Sequence, residues 1–558
     1  YTDLVKNKGA ISVSGGQGNT GIFLKVRDND DIMNVAGGTI SVSGNRNIGM
    51  RVDLGKVITD NAAGGSPKAI NNGKIIVGNG EQNIGIVANN SETSGIKAIA
   101  TNNGTIEFVG AAYKAIGLFA QDGAEIVNSA TGKITGPTTG GLNETLGMVI
   151  QGKVPSKNVP SSGINNGEIE FSKKGGTAIA VDYGQATNNG KITMDAANGV
   201  GENSIGLFGA SSSKLKNSGT GEIYLGTKGV GIWGANKIAS SVATWDKNID
   251  ITNAGKIEGI AGKEGVFGIY AVNDTTAYST ATSTINHSGI INLSQNKKSV
   301  GIYMTNGDLT STGAISVNEG SVGVNAEDST VNVNGGTHTI GANSIGFNLK
   351  GNSSLLANSG NISITGIGSA AYLFDNVNLT SGTNFKDNLT LTATNGYTYI
   401  NLTNSTLNYK NQKTINNDET IFVNSKNSTV NLLEGNDISS TKNKVVGVYS
   451  EGGVVSNAGQ MTLMGDGSSA LYSKGAATVN GAPGKITIGA NGSGIYVVNA
   501  GSTGSNYGEI TIGAGSVGMR AENGKIKNNS TGKISSTAEK ATGMSQSGNE
   551  NLENEGTI

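Results

Sequence analysis

A glycine pattern near the end of the chain is the first candidate for chemistry. Gly513, Gly515 and Gly518 form a G-x-G-x-x-G pattern, which cradles a pyrophosphate when a helix follows it. Here the sequence continues as MRAENGKI, a further strand and turn, and a similar segment, GIGSAA, begins at Gly366. The pattern therefore predicts a turn between two strands and no nucleotide site.

The two histidines are the next candidates, because a catalytic base is most often histidine. His287 and His338 lie in turn-like or strand-like text, and neither is accompanied by a recurrent acidic residue. We interpret them as turn residues exposed to solvent.

One acidic segment offers the oxygen ligands that calcium prefers. It contains Arg27, Asp28, Asp30 and Asp31, without a defined ligand spacing, which favours a solvated loop. A β-helical enzyme that cleaves polysaccharides would need carboxylates that converge on one face, whereas Asp and Glu are scattered along this chain. The sequence predicts no catalytic residue, no metal and no cofactor.

Composition narrows the class of protein. The 558 residues include 88 Gly, 5 Pro and no Cys, 35% are hydrophobic, and the net charge is -1. A charge near zero argues against nucleic-acid binding, which depends on many Lys and Arg. Absence of Cys excludes disulfides and Cys-ligated zinc, and no apolar run approaches the roughly 18 residues of a membrane-spanning helix.

A repeated pattern of Asn, Gly, a variable residue, Ile, a variable residue and an apolar residue runs along the chain. Copies are NNGKIIV from Asn71, NNGTIEF from Asn102, NNGEIEF from Asn165, NNGKITM from Asn188 and NSGNISI from Asn358. Their first apolar residues include Ile75, Ile106, Ile134, Ile169, Ile192, Ile223, Ile257, Met461, Ile486, Ile510, Ile534 and Ile558. The last five follow one another at roughly 24 residues, which is typical of a solenoid.

Each unit also contains a second segment, such as IGLFA from Ile116 or VGIYM from Val300, and a weaker third one, such as STVNV from Ser329. All alternate with period two between Gly, Asn or Ser turns, which predicts three short strands per unit. Such a unit must stack on its neighbours to bury its apolar side chains. We therefore predict an all-β fold, a right-handed parallel β-helix of about 20 coils, in which turn Gly residues supply positive φ and Asn amides bond the next coil.

The prediction is a single domain over residues 1–558 with three stretches. Residues 1–374 form coils with insertions, residues 375–444 form Asn/Thr-rich coils with a polar face, and residues 445–558 form regular coils of 24 residues. Both ends fall inside a repeat, and no cap covers the open strand edges there. We expect the solenoid to be truncated at both ends.

The most informative feature is a row of residues predicted to face outward from the second strand of each coil. The row comprises Phe23, Arg51, Val87, Phe119, Val149, Ala180, Phe208, Trp233, Tyr270, Tyr303, Asn325, Asn348, Tyr372, Tyr449, Tyr472, Tyr496, Arg520 and Ser545. Ten of these are aromatic, although the chain has only 27 Phe, Trp and Tyr residues. Two interpretations stay open: stacked aromatics stabilise the sheet by about 0.2 to 1 kcal/mol per pair, or they form a binding strip.

The predicted ligand-binding residues come from this row and from one loop. They are Phe208, Trp233, Tyr270, Tyr303, Trp245, Tyr449, Tyr472 and Tyr496. The larger insertions, at residues 53–69, 151–163, 235–250 and 272–288, all follow the second strand, so we expect them to emerge on one face. Trp245 lies in the third insertion, and Lys153 and Lys157 flank Pro155 in the second.

The repeat text resembles the passenger region of large monomeric (type V) autotransporter adhesins, particularly the very long fusobacterial outer-membrane kind. The phrases that carry the resemblance are NNGKIIVGNGEQNIGIVA from Asn71, NNGKITMDAANGVGENSIGLFG from Asn188 and GEITIGAGSVGMRAENGKI from Gly508. The resemblance implies a secreted monomer at the bacterial cell surface, exposed on the outer membrane or released, and carried there by a barrel domain outside this sequence. Its implied partners are a host-cell glycan or protein receptor, or other bacteria. No residue-level motif transfers.

Two roles therefore remain beside the less favoured polysaccharide-processing enzyme. One is an adhesin segment that binds a ligand, which the insertions of the N-terminal half favour. The other is a passive stalk that holds a distal adhesive head away from the membrane, which the regular coils after Gly459 favour.

Overall fold

The structure, a computed structural model, describes residues 4–26, 30–55, 65–90, 96–136, 144–152, 160–171, 176–195, 204–210, 212–236, 248–273 and 282–558. The described residues form strands and turns without a helix. They build a parallel β-solenoid of about 19 turns, which confirms the predicted fold class, whereas its right-handedness stays a prediction. The chain divides into two compact units, Tyr1–Ile315 and Ser316–Ile558.

Each coil of the first unit supplies three strands, and each strand pairs in parallel with the equivalent strand one coil away. Strand one comprises Ala10–Val13, Thr39–Val42, Lys74–Val77, Thr105–Phe108, Lys133–Thr135, Glu168–Glu170, Lys191–Met194, Glu222–Leu225, Lys256–Gly259, Ile290–Leu293 and Ala314–Val317. Strand two comprises Thr20–Val26, Ile48–Leu54, Ile84–Asn90, Ile116–Gln121, Thr145–Gln151, Gly176–Asp182, Ile205–Gly209, Val230–Asn236, Phe267–Asn273 and Val300–Thr305. Strand three comprises Leu4–Asn7, Asp31–Asn34, Lys68–Asn71, Ile99–Asn102, Glu125–Asn128, Ser161–Asn165, Gly184–Asn188, Ser213–Asn217, Ile249–Asn253, Ser283–His287 and Gly307–Ser311. The short strands Gly80–Glu81 and Ala112–Tyr113 pair with each other between strands one and two.

The second unit repeats this plan, and four of its strands continue through a corner of the coil. The long strands are Thr330–Ile340, Ser354–Ile364, Ile421–Leu432 and Val446–Asn457. Other examples of strand two are Val322–Glu327, Ile345–Lys350, Ala370–Asp375, Thr398–Thr403, Ser469–Lys474, Ser493–Val498, Val517–Glu522 and Thr542–Ser547. Other examples of strand three are Asn378–Thr380, Phe385–Asp387, Thr406–Tyr409, Ala477–Asn480, Thr503–Asn506, Lys525–Asn528 and Leu552–Asn554. Other examples of strand one are Thr390–Ala393, Gln412–Ile415, Asp437–Ser440, Gln460–Leu463, Lys485–Ile488, Glu509–Ile512 and Lys533–Ser535.

Alternation along strand one puts its apolar residues into the core, as the pattern predicted. Ile75 and Val77 are fully buried, whereas Lys74 is exposed and Ile76 is partly exposed. Because each strand stacks in register, the equivalents of Ile75 form a continuous column in the first unit. The column members are Ile40, Ile75, Ile106, Ile134, Ile169, Ile192, Ile223, Ile257 and Ile291.

Asparagine side chains form a second buried column where strand three ends. In the first unit Asn7 donates to Asn34 at 2.9 Å, and the same amide-to-amide bond recurs at each following coil up to Asn253. The second unit contains an equivalent ladder, Asn457, Asn480, Asn506, Asn528 and Asn554. The prediction that turn asparagines bond the next coil is confirmed.

The predicted role of the glycine in the Asn-Gly turn is wrong. Gly73, Gly104, Gly167 and Gly190 are not among the positive-φ residues. Glycine is required there because stacked turns approach closely: a Cβ on Gly104 would lie 2.1 Å from the carbonyl oxygen of Gly73. Glycine is therefore required at this position by the close approach of stacked coils, and not by a positive φ.

Residues 375–444 form further coils, and the strand-one ladder is interrupted among them. Thr390–Ala393 pairs with Ser354–Ile364, but Gln412–Ile415 starts a separate ladder with Asp437–Ser440. Aromatic side chains fill the core beside this interruption. They are Tyr372, Phe374, Phe385, Tyr399, Tyr409 and Phe422.

Candidate binding surface

Strand two of the first unit presents the predicted aromatic row to solvent. Phe208, Trp233, Tyr270 and Tyr303 are register partners in successive coils, and all four are partly exposed. The first two ring pairs meet edge to face with centroids 5.7 Å apart, and Tyr270 stacks on Tyr303 at 4.9 Å. The predicted ladder is therefore confirmed as a geometric feature, with ring spacings at which aromatic pairs attract one another.

A second outward row lies beside it and was missed by the sequence analysis. It consists of the residue directly before two consecutive buried residues of strand two, the first of which is usually glycine; Ile116, Leu146 and Phe267 are examples. This glycine and the next residue are both buried, so the apolar residues on either side of the pair face outward. The rings of Phe267 and Tyr270 are 5.4 Å apart, which shows that the two rows touch. The signal was present in phrases such as IGLFA, where Ile116 precedes the glycine.

Together the two rows form an apolar surface, called here the two-row surface. Its outer row is Phe119, Val149, Ala180, Phe208, Trp233, Tyr270 and Tyr303. Its edge row is Ile116, Leu146, Thr177, Ile205, Val230, Phe267 and Val300. Ile205 and Val230 are at most 9% exposed, and the other members are partly exposed.

A shallow depression of about 500 Å³ adjoins the start of this surface. Its apolar floor consists of Ile84 and the edge-row residues Ile116 and Leu146. Its polar lining is formed by Arg46, Gln82, Lys114 and Glu144. Lys114 and Glu144 approach to 3.7 Å at the rim, so the depression combines an apolar floor with both signs of charge.

The second unit carries the shorter tyrosine ladder that was predicted. Tyr449 stacks on Tyr472 at 5.2 Å, and Tyr472 meets Tyr496 edge to face at 4.8 Å. The Arg520 guanidinium lies 4.8 Å from the centroid of the Tyr496 ring. Burial and the neighbouring Glu522 carboxylate raise the pKa of Tyr496 to about 12, so its hydroxyl stays protonated at neutral pH.

Elsewhere the outward row of the second unit includes stacked asparagines. Asn348 donates to Asn325 at 2.7 Å, and Asn424 donates to Asn401 at 2.9 Å. Tyr372, predicted to face outward, is instead fully buried, because it pairs in register with the inward Phe347 and leaves Leu373 as the outward residue. The apolar two-row surface therefore belongs to the first unit.

No family model matches this chain, and no curated protein matches it. Among solved structures, the chain is similar to a tailspike protein mutant of E. coli bacteriophage HK620. The two share 11% sequence identity, and the match covers 87% of this chain and 69% of the tailspike chain with a TM-score of 0.24. A similarity this weak adds nothing to the functional argument.

Both histidines are buried, so the expectation that they are exposed turn residues is wrong. His287 occupies the next position of the asparagine ladder, with Nδ1 3.2 Å from Asn253 Nδ2 and Nε2 3.2 Å from the carbonyl oxygen of Ala314. Burial lowers the pKa of His287. His338 packs against the ring of Phe347 at 5.0 Å. Their surroundings are those of core residues.

The structure also describes the glycine pattern, part of the acidic segment and the possible groups of metal ligands. Gly513 and Gly515 lie in or next to the turn between two strands, as predicted, and Gly518 lies in the strand that follows. Asp31 Oδ1 accepts a hydrogen bond from the backbone of Lys68 at 3.0 Å. In the part of the chain that the structure describes, no three His, Asp or Glu side chains come together as a group that could hold a metal ion.

The insertions lie mostly outside the described residues. Trp245, Pro155, Lys153 and Lys157 are among the residues not described, as are Arg27 and Asp28 of the acidic segment. The flanking strands nevertheless show that all four insertions join strand two to strand three of the same coil. No helix within the described ranges is long and apolar enough to cross a membrane.

Proposed function

We propose that this chain is a segment of a bacterial cell-surface adhesin that binds its partner through the two-row surface of the first unit, without catalysis. The observation that carries the proposal is the predominance of apolar and aromatic residues in two adjacent rows, most of which are partly exposed. Extended exposed apolar patches on proteins commonly mark interaction sites. An adhesive solenoid would present such a patch along successive coils.

The chemistry of the surface defines the class of partner. Trp233, Tyr270 and Tyr303 offer ring faces and edges with polar tips, which suit a sugar ring or the apolar side chains of a protein. The edge row adds aliphatic area next to them, and the depression near Lys114 adds charge. These features support a glycan or protein receptor on a host cell, or on another bacterium, as the partner.

The cellular setting is part of the proposal. The repeat text resembles autotransporter passengers, and this resemblance supports a monomer exposed at the outer membrane or released from it. A barrel domain outside this sequence would attach it to the membrane.

The test is attachment of the purified chain to host cells and partner bacteria, with a panel of sugars and amino acids as competitors. A Trp233→Ala/Tyr270→Ala variant should lose most attachment while keeping its circular dichroism spectrum. The control is Tyr224→Ala, which removes a partly exposed aromatic ring from strand one of the same unit, outside the two-row surface. Equal attachment by the native chain and the first variant would refute the two-row surface as the binding site.

The edge row provides an independent variant. Thr177 already occupies this row naturally, so Ile116→Thr/Leu146→Thr changes the surface with little risk to the fold. We expect this variant to reduce attachment as well, since it removes apolar area next to the outer row.

A passive stalk is the second candidate, and the second unit favours it. There, stacked asparagines and the ion pair of Lys474 with Glu451 lie on strand two. A well-folded chain that attaches to no cell type or bacterium would establish the stalk and refute the adhesin proposal for this segment.

A further inference from the structure

A lysine occupies a core position beside the interrupted ladder of the second unit. Lys413 pairs in register with Ile438, and Ile438 pairs with Met461, so all three belong to the inward column of strand one. Ile438 and Met461 are fully buried, and the side chain of Lys413 is only 12% exposed. A lysine in such a column is costly unless its charge is paired or removed.

The partner of Lys413 is a carboxylate that is even more deeply buried. Lys413 Nζ lies 3.3 Å from Asp387 Oδ1, and the Asp387 side chain is 1% exposed. Lys413 Nζ is also 3.3 Å from the carbonyl oxygen of Leu389 and 4.6 Å from the centroid of the Tyr399 ring. The amine is therefore held against the carboxyl group in an aromatic pocket.

Three tyrosine hydroxyls converge on the same carboxyl group. Tyr372 donates to Oδ1 at 2.9 Å, Tyr409 donates to Oδ2 at 3.1 Å, and Tyr399 lies 2.5 and 2.6 Å from the two oxygens. Burial and the nearby Asp387 raise the pKa of each tyrosine well above its usual value, so all three remain hydrogen-bond donors at neutral pH.

We propose that Lys413 and Asp387 form an intramolecular isopeptide bond. The reaction is a condensation that needs no oxidant, reductant or cofactor. A proton passes from the Lys413 ammonium to the Asp387 carboxylate, and the neutral Nζ attacks Cγ. The Nζ–Cγ bond forms, one Cγ–O bond breaks, and that oxygen leaves as water with two protons that came from the ammonium group.

The surroundings position the two reacting groups and the hydrogen-bond donors around them. A separation of 3.3 Å between Nζ and Oδ1 holds the amine next to the carboxyl group, so no diffusional encounter is needed. The tyrosine hydroxyls that bond the carboxyl oxygens would stabilise the negative charge that develops there when Nζ attacks.

The bond would also fit the local architecture. Asp387 ends a strand-three segment, and Lys413 belongs to the strand one that starts a new ladder after the interruption. The cross-link would therefore join two coils where the strand-one ladder between Thr390–Ala393 and Gln412–Ile415 is interrupted.

The test is the intact mass of the folded full chain, followed by tryptic peptide mapping. We expect a mass lower than that of the sequence by one water molecule, and a branched peptide that joins residues 387–410 to residues 411–426. Trypsin should fail to cleave after Lys413, because an acylated lysine is not a substrate. The exposed ion pair of Lys444 and Glu419, at 3.0 Å, is the internal control and should stay unlinked.

Two variants test whether the bond needs the Lys413 amine and the Tyr399 hydroxyl. Lys413→Arg keeps the charge but should show no water loss, and Tyr399→Phe should reduce the linked fraction because it removes one donor. An unreduced mass of the native chain, together with cleavage after Lys413, would show a simple ion pair and overturn the proposal. That measurement does not depend on whether either variant folds, or on whether the chain is an adhesin.

Discussion

Asn188→Ala should destabilise the first unit far more than Asn189→Ala, although the two residues are neighbours. Asn188 is fully buried in the asparagine ladder, where it accepts from Asn165 at 2.8 Å and donates to Asn217 at 2.9 Å. Asn189 donates to Asn166 at 2.8 Å, at the surface. The pair separates the effect of burial from the effect of losing an amide.

The expected loss of stability follows from the hydrogen bonds that each substitution removes and from the buried partners that remain. Each hydrogen bond contributes about 0.5 to 1.5 kcal/mol, and a buried polar group without a partner costs about 1 to 3 kcal/mol. Asn188→Ala removes both ladder bonds and takes the donor from the buried oxygen of Asn217, for a total of about 2 to 6 kcal/mol. Asn189→Ala should cost less than about 1 kcal/mol, because water replaces the lost partner.

Hydrogen exchange measured by mass spectrometry is the appropriate assay, because a solenoid is stabilised by contacts between neighbouring coils. We expect faster exchange in Gly184–Asn188 and in the paired strands Ser161–Asn165 and Ser213–Asn217. Urea unfolding should show the same ranking of the two variants. Equal effects of Asn188→Ala and Asn189→Ala, or a uniform increase in exchange along the chain, would refute the buried ladder as a source of stability.

Two further predictions concern other coils of the first unit. Burial lowers the pKa of His287, so the unfolded chain binds a proton before the folded chain does as the pH falls. The free energy of unfolding should therefore have its full value above about pH 6.5 and fall by up to about 1.4 kcal/mol per pH unit below it. His287→Asn, which restores the usual ladder residue, should remove this dependence of the urea midpoint on pH. Gly104→Ala should cost about 1 to 3 kcal/mol, because its Cβ would meet the carbonyl oxygen of Gly73. Gly219→Ala is the control for urea unfolding and should be near neutral, since its Cβ would have no atom within 4 Å.

The periodic part of the molecule was predictable because its cause is local. Every coil must bury the same few side chains against the next, so the spacing of Ile75, Ile106 and Ile134 in the sequence directly indicates a stacked column. The same logic placed Phe208 and Trp233 next to each other on the outside. Equivalent positions in a parallel solenoid are neighbours by construction.

Sequence reasoning failed where the phase of a strand changed. A strict alternation put Tyr372 outside, but its true register partner is the inward Phe347. The edge row was missed for a related reason: two consecutive buried residues, a glycine and an apolar residue, break the alternation in strand two. The buried Lys413 was also overlooked, because a charged residue within a strand is normally interpreted as facing solvent.

Core packing and the two-row surface use different rows of this fold, and this separation supports the binding site that we propose on strand two. The buried column of strand one keeps isoleucine from coil to coil in the first unit. The outward row of strand two changes from Ala180 to Phe208 to Trp233 over three successive coils. Inward rows are constrained by the coils above and below them. Outward rows are free to vary, so a run of apolar residues there is not required by folding. In the second unit the corresponding positions of Asn325 and Asn348 are filled by amides that bond each other. The same scaffold can therefore be built with a polar outward face.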